Sequence, residues 1–254
     1  MKKLIVFLVI LLVLIFCYSF YIAPNIILVK ECSIKNELIP EGFNGTKIVH
    51  FSDLLYNNES AKNLEELIRK INEQKPNITV FTGDLLDGKL SNKNKKQLIK
   101  YLKNIKSDLG KYAILGDKDS KLSEEILIET GFIIIEEPIY LYNNDLIPII
   151  ILNNCDLENT LETYSICLIH KPDDIKNING EMPSLILAGH SLGGQIRIPF
   201  WGALIKLNGA KKYSDNYYKI NDSQMYISYG IGNGNINIRL FNEPSINVYR
   251  LIAK

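Results

Sequence analysis

The 254 residues suffice for one large α/β domain or two small ones, and 46% hydrophobic against 22% charged residues describes a chain able to bury a sizeable core. A net charge of +1 provides no electrostatic footprint for nucleic acid, which is excluded as a partner. No Gly/Ser linker, internal repeat or low-complexity tract divides the chain.

After Met1, Lys2 and Lys3 comes LIVFLVILLVLIFCYSFYI, Leu4 to Ile22, without a charge. At 1.5 Å per residue this stretch makes about 28 Å of helix, close to the hydrocarbon thickness of a bilayer. The two lysines ahead of it predict a single-pass cell-membrane protein with a cytoplasmic N-terminus and an extracytoplasmic body. Tyr18, Phe20 and Tyr21 stand where a cleavage site needs small residues, so residues 1–25 read as a retained signal anchor.

From Thr46 the pattern alternates. KIVHFSD predicts a strand ending at Asp53, and AKNLEELIRKINEQ a helix with Leu64, Leu67 and Ile71 on one face. ITVFTGD ends at Asp84 and is followed by the helix NKKQLIKYLKNI. KYAILGD ends at Asp117, and KLSEEILIETG is a helix stopped by Gly131. YSICLIH and SLILAGH are strands ending at His170 and His190. The βαβ order implies strands buried between layers, with binding groups gathered at their carboxyl ends. His50 points away from that edge and reads as a packed histidine. Cys155 and Cys167 are open to pairing if the body is exported, although Cys167 reads first as a small buried apolar residue.

Three aspartates and two histidines at five strand ends form a mixed carboxylate and imidazole set suited to a divalent transition metal. Such an ion polarises a phosphoryl oxygen and activates water. A competing motif is GHSLGG, which places Ser191 in a G-x-S-x-G context. A nucleophile elbow requires a helix after the serine and a later histidine. Here GGQIRIPFWG, with its two glycines, Pro199 and alternating Ile196 and Ile198, predicts a strand. The histidines are His50, His170 and His190, and none follows Ser191. Serine chemistry is therefore the weaker reading.

Taken in order, the motifs resemble those of the calcineurin-like metallophosphoesterases, most closely the membrane-anchored bacterial branch that includes phosphodiesterases acting on lipid-linked substrates. That family carries D-x-H, G-D-x-x-D, G-N-H-D or E, a later histidine, and G-H-T-H-G-G-Q. This chain reads SDLLY, GDLLDG, GDKDS, IHKPD and GHSLGGQIRIP, and its tail YISYGIGNGNINIRLFNEPSINVYRL is similar to the family's last strands. The resemblance runs from Thr46 to Leu251. It implies an α/β sandwich of two mixed β-sheets flanked by helices, preceded by the transmembrane helix. Residues 26–45 would be a linker and first strand, and 46–254 the metallophosphoesterase-like domain.

The departures from the family pattern shape the expected chemistry. By resemblance, Asp53 and Asp84 would bind a first metal, Asp84 bridging to the second. The histidines completing the first site are replaced by Leu55 and Leu192, which cannot coordinate. Asp84, Asp117, His170 and His190 would hold the second ion, so one Mn, Zn or Fe ion is expected rather than two. Lys118 stands where the family has the histidine that helps protonate the leaving group, and its ammonium could lie between Asp53 and Asp84. Lys118 and Asp119 are the expected catalytic residues. Asp87 and Asp119 would orient ligands, and Gly193 and Gly194 would allow close backbone approach beside His190. The implied function is weak, mononuclear hydrolysis of a phosphodiester or pyrophosphate, with lipid-linked phosphoesters among the substrates. The alternative is a pseudoenzyme that binds a metal or phosphoryl ligand without turnover.

Overall fold

A computed structural model of the chain describes residues 1–58, 63–155, 163–178, 180–234 and 236–254. Helix α1, Lys2–Cys17, has no buried residue and continues through a π turn to Asn25. The whole helical stretch Lys2–Asn25 is long and apolar enough to cross a membrane, with a mean hydropathy of 3.0 in its most apolar part.

The strands of the body form two six-stranded mixed sheets. In the first, β1 (Leu28–Asn36) lies parallel to β14 (Ser245–Ala253), which runs antiparallel to β2 (Lys47–Phe51). Then follow β3 (Ile78–Thr82), β4 (Lys111–Ile114) and β5 (Phe132–Ile134), all parallel to β2. The second sheet runs β12 (Tyr217–Ile220), β13 (Ser223–Ile227), β9 (Leu185–Ala188), β8 (Ser165–Ile169), β7 (Ile149–Asn153) and β6 (Ile139–Leu141). Its four middle strands are parallel, and β12 and β6 are antiparallel edges. A small hairpin, β10 (Arg197–Ile198) and β11 (Gly202–Ala203), stands apart.

Side-chain alternation builds the layers. In β3 every residue is buried. Ile78 and Val80 enter the core between the sheets, against Ile149, Ile151, Ile166 and Leu168 of the second sheet. Phe81 points the other way, into a core shared with the helices. Strands covered on both faces are expected to be largely apolar, and this one is buried throughout, its exceptions being Thr79 and Thr82. Helix α2 (Leu64–Glu73) contributes Leu64, Leu67, Ile68 and Ile71 to that core, α3 (Asn92–Lys103) Leu98 and Leu102, and α4 (Lys121–Glu129) Ile126 and Leu127. The expected start of α2 at Ala61 lies outside the described residues. Helix α3 begins two residues earlier than its apolar spacing suggests, because the Ser91 side chain accepts the Asn94 backbone N–H at 3.2 Å and caps it.

Segment 26–45 is integral to the body. Strand β1 extends the first sheet, and Ile34, Ile39 and Phe43 are buried in the inter-sheet core. On the outer face of the second sheet Cys155 and Cys167 are joined as a disulfide, their Cα atoms 5.2 Å apart. Cys167 is thus buried, as its sequence context suggests, and bonded as well.

Candidate metal centre

The carboxyl ends of β2, β3 and β4 meet those of β8 and β9 at one edge of the sandwich. The loops beyond them are locked together by backbone bonds: Asp53 N–H donates to Gly83 O at 2.9 Å, and Leu55 N–H to Asp84 O at 3.1 Å. Asp53, Leu55, Asp84, His190 and Leu192 all have positive φ, between 47° and 62°. Such a cluster of left-handed non-glycine residues is costly and marks a backbone held by its surroundings. Gly83 is required here, since a Cβ would lie 2.6 Å from Gly116 N and 2.8 Å from His170 Nδ1.

Asp84, His170 and His190 each present a donor atom, and these atoms all lie within 4.8 Å of one another. The outward nitrogens of both rings are committed to backbone carbonyls. His170 Nδ1 lies 2.8 Å from Thr82 O, and His190 Nε2 lies 2.8 Å from Asn208 O, so each carries a proton there. Lone pairs are thereby left on His170 Nε2 and His190 Nδ1, which face each other at 3.2 Å, and Asp84 Oδ1 is 3.5 Å from His170 Nε2. With both rings neutral, two imidazole acceptors and a carboxylate converge in a set that fits a divalent cation, and the carbonyl partners are the usual means of orienting such ligands.

Without an ion, a proton takes the ion's place on His170 Nε2. Burial opposes charge on His170, but its bond to Asp84 and the charges of Asp53 and Asp84 prevail and raise its pKa to about 9. Asp84 is also desolvated, yet His170 and the Lys118 backbone N–H hold its pKa below the usual carboxylate range. Asp53 goes the other way, pushed up chiefly by burial. One of its oxygens already accepts the Ser52 hydroxyl at 2.5 Å and the His190 N–H at 2.9 Å.

The remaining expected residues divide. Asp117 Oδ2 is 4.0 Å from His190 Nδ1 but forms its closer contact, 2.7 Å, with Lys171 Nζ. Lys118 does not place its ammonium between Asp53 and Asp84. Its Nζ bonds Asp87 Oδ1 at 2.9 Å, while its backbone N–H, at 2.8 Å, serves Asp84. Asp119 accepts backbone N–H bonds from Asp84 at 2.7 Å, Leu85 at 2.8 Å and Gly116 at 2.8 Å, so both oxygens clamp the loops. Gly193 and Gly194 permit close approach, though to the Asn242 side chain and to β11 rather than to His190. Ser191 is buried; its Oγ accepts Gly193 N–H at 3.0 Å and lies 3.5 Å from Ser228 O, with no imidazole among its described partners. His50 is buried between Thr82 Oγ1 at 2.8 Å and Tyr249 OH at 3.4 Å.

Part of this set opens on a cavity of about 570 Å³ with two kinds of wall. One carries Asp53, Asp84, Asp117, Lys118, Lys171 and His190; the other is apolar, with Leu55, Leu192, Ile196, Ile205, Ile236 and Ile238. Sequence reasoning missed Lys171, although it directly follows His170. It also missed Arg239, fully buried, whose guanidinium donates to Leu192 O at 3.0 Å and Tyr229 O at 2.9 Å. Nothing in NINIRLF distinguishes that arginine from a surface one.

The calcineurin-like phosphoesterase profile matches residues 46–190, Thr46 to the candidate ligand His190. The chain belongs to the calcineurin-like phosphoesterase family. Among its relatives, a Bacillus subtilis (strain 168) protein named uncharacterized metallophosphoesterase YkuE is 32% identical, over 92% of this chain and 88% of that one. An uncharacterized metallophosphoesterase of Aquifex aeolicus (strain VF5) is 26% identical over 89% and 92% of the two chains. A Danio rerio transmembrane protein with metallophosphoesterase domain is 25% identical, over 86% of this chain and 56% of its own length. Calcineurin-like phosphoesterases use divalent metals, and the cluster of Asp84, His170 and His190 is a three-residue candidate for such a site.

Proposed function

We propose that the chain is a membrane-anchored phosphoesterase working with one divalent transition ion. The reading rests on the convergence of Asp84, His170 and His190, their outer N–H groups tied to carbonyls and their inner donors facing one point. Asp117 completes this set by turning from Lys171, an ion pair exposed enough to exchange at little cost. A bound ion supplies Lewis-acid polarisation of a phosphoryl oxygen and lowers the pKa of its water.

The chain's own residues position the rest. Lys118, held by Asp87, and Lys171, released when Asp117 turns to the ion, stand at the cavity, placed to receive the non-bridging oxygens of a phosphodiester or pyrophosphate. Asp119 keeps the Asp84 and Gly116 loops in register. The apolar wall favours a substrate with a hydrocarbon portion, such as a lipid-linked phosphoester. Helix α1 anchors the body, with Lys2 and Lys3 on the cytoplasmic side and the body outside. A second reading, ligand binding without turnover, has one observation in its favour: Leu55 and Leu192 offer no donor beside Asp53.

Metal analysis of the full chain in detergent, with hydrolysis of bis(p-nitrophenyl) phosphate, distinguishes these outcomes. One ion per chain is expected, lost in His170→Ala and in His190→Ala, with weak turnover that follows the ion. Joint replacement Leu55→His, Lys118→His and Leu192→His should add a second ion and raise turnover by orders of magnitude. Two tightly held ions in the unaltered chain overturn the mononuclear reading. One ion with no hydrolysis, restored by the triple replacement, establishes the pseudoenzyme.

A further inference from the structure

The hairpin of β10 and β11 ends in Phe200 and Trp201, which are 107% and 89% exposed. Ile198, Leu204 and Ile205 beside them are exposed too, giving a contiguous apolar projection of a kind soluble surfaces seldom carry. The turn is built for display. Pro199 precedes Phe200, whose φ of 69° belongs to a position normally given to glycine. A large aromatic there gains no burial from the body to offset the strained backbone.

The hairpin is tied to the end of the apolar helix. Arg197 N–H donates to Leu240 O at 2.9 Å, and Leu240 N–H to Gln195 O at 3.0 Å. The next residue back, Arg239, donates its N–H to Ser19 O at 3.0 Å, and Tyr18 OH donates to Glu243 at 2.5 Å. Three or four residues from Arg197 to the tip span roughly 10–14 Å, which puts the aromatics within roughly 25 Å of the helix end. Tyr18 and Tyr21 at that end are of the residue type that settles at a membrane interface. Exposed Lys206, Lys211 and Lys212 follow the hairpin and match anionic headgroups in sign.

We propose that the β10–β11 hairpin is a second membrane contact, inserting Phe200 and Trp201 at the boundary between headgroups and acyl chains. Ile196 and Ile205, on the same segment, line the apolar wall of the cavity, so this contact turns that wall toward the lipid. The inference rests on reading α1 as a membrane anchor.

Trp201 is the single tryptophan of the chain and reports its own depth. The full-length protein is reconstituted into phosphatidylcholine and phosphatidylglycerol vesicles, with and without brominated acyl chains. Brominated lipid should quench Trp201 emission at least twofold, and acrylamide quenching should fall several-fold relative to the unfolded chain. Phe200→Ser with Leu204→Ser, both at exposed positions, should restore aqueous quenching. If α1 resists carbonate extraction while Trp201 stays open to acrylamide and blind to bromine, the hairpin proposal falls and the anchor stands. If carbonate extracts the protein, both fall. Shielding that bromine does not sense, and that grows with protein density, means a second copy covers the tip, which also overturns the proposal.

Discussion

If the cluster of Asp84, His170 and His190 receives an ion, the ion must displace a proton. His170 is held near a pKa of about 9 by Asp84 and Asp53, while its unfolded value is about 6.5. The folded value lies above the unfolded one. The proton therefore stabilises the metal-free protein fully below about pH 6.5, and that contribution is lost as pH rises through about 9. Ion affinity runs the opposite way. At pH 7 the ring is about two units below its pKa, so freeing it costs about 2.7 kcal/mol, or about 100-fold in affinity. Asp84, already ionised by its partners, adds no proton. Titration calorimetry with Mn(II) in two buffers of different ionisation heat should show about one proton released per ion at pH 7. The dissociation constant should tighten about tenfold per unit from pH 7 and level off near pH 9. Proton-silent binding, or an affinity flat between pH 7 and 9, would refute the assignment of His170 as the proton-carrying ligand.

Three further outcomes are expected. Asp119→Ala removes the acceptor for three backbone N–H groups and should cost about 2–4 kcal/mol in urea unfolding, with Asp119→Asn between it and wild type. The Cys155–Cys167 bond closes a loop of separation 12, so Cys155→Ala with Cys167→Ala should cost about 3 kcal/mol and lower Tm by roughly 6–12 °C, as should reductant on the wild type. Burial lowers the His50 pKa to about 3, so the unfolded chain binds this proton first and stability is lost as pH falls from about 6.5 toward 3. Between pH 7 and 5 the wild type should lose about 2 kcal/mol more than His50→Gln, measured by denaturant melts.

The layers and the site edge were legible because both are local. Apolar runs that end in Asp or His name strands and the chemistry at their ends, and α2 shows its buried face through Leu64, Leu67 and Ile71. Pairings that depend on distant segments were not legible. The ammonium of Lys118 was expected to neutralise Asp53 and Asp84, but Asp84 is served by the Lys118 backbone N–H, which frees the side chain to reach Asp87. Asp117 carries a ligand's spacing and still meets Lys171, a contact across sheets that no spacing encodes. Arg239 is buried because carbonyls of Leu192, Tyr229 and Gly232 surround its guanidinium; the last two sit within the same loop, but Leu192 comes from far back in the chain.

Leu55 and Leu192 bear on what the site can still do. Each sits at φ 47°, although leucine has no polar group to ease a left-handed backbone. Relaxation is blocked from outside. Leu55 N–H is bound to Asp84 O at 3.1 Å, and Leu192 O accepts from Arg239 at 3.0 Å and Asn242 at 2.7 Å. A Cβ on Gly232 would lie 2.7 Å from Leu55 Cβ, and one on Gly230 would lie 2.8 Å from Leu192 Cδ2. The loops thus retain their geometry independently of the side chains they display. A histidine restored at either position would meet a backbone already set for it, since imidazole-bearing residues tolerate this conformation better than leucine. On the proposed reading that two histidine donors are lost here, the loss is a matter of two side chains and not of a rebuilt fold.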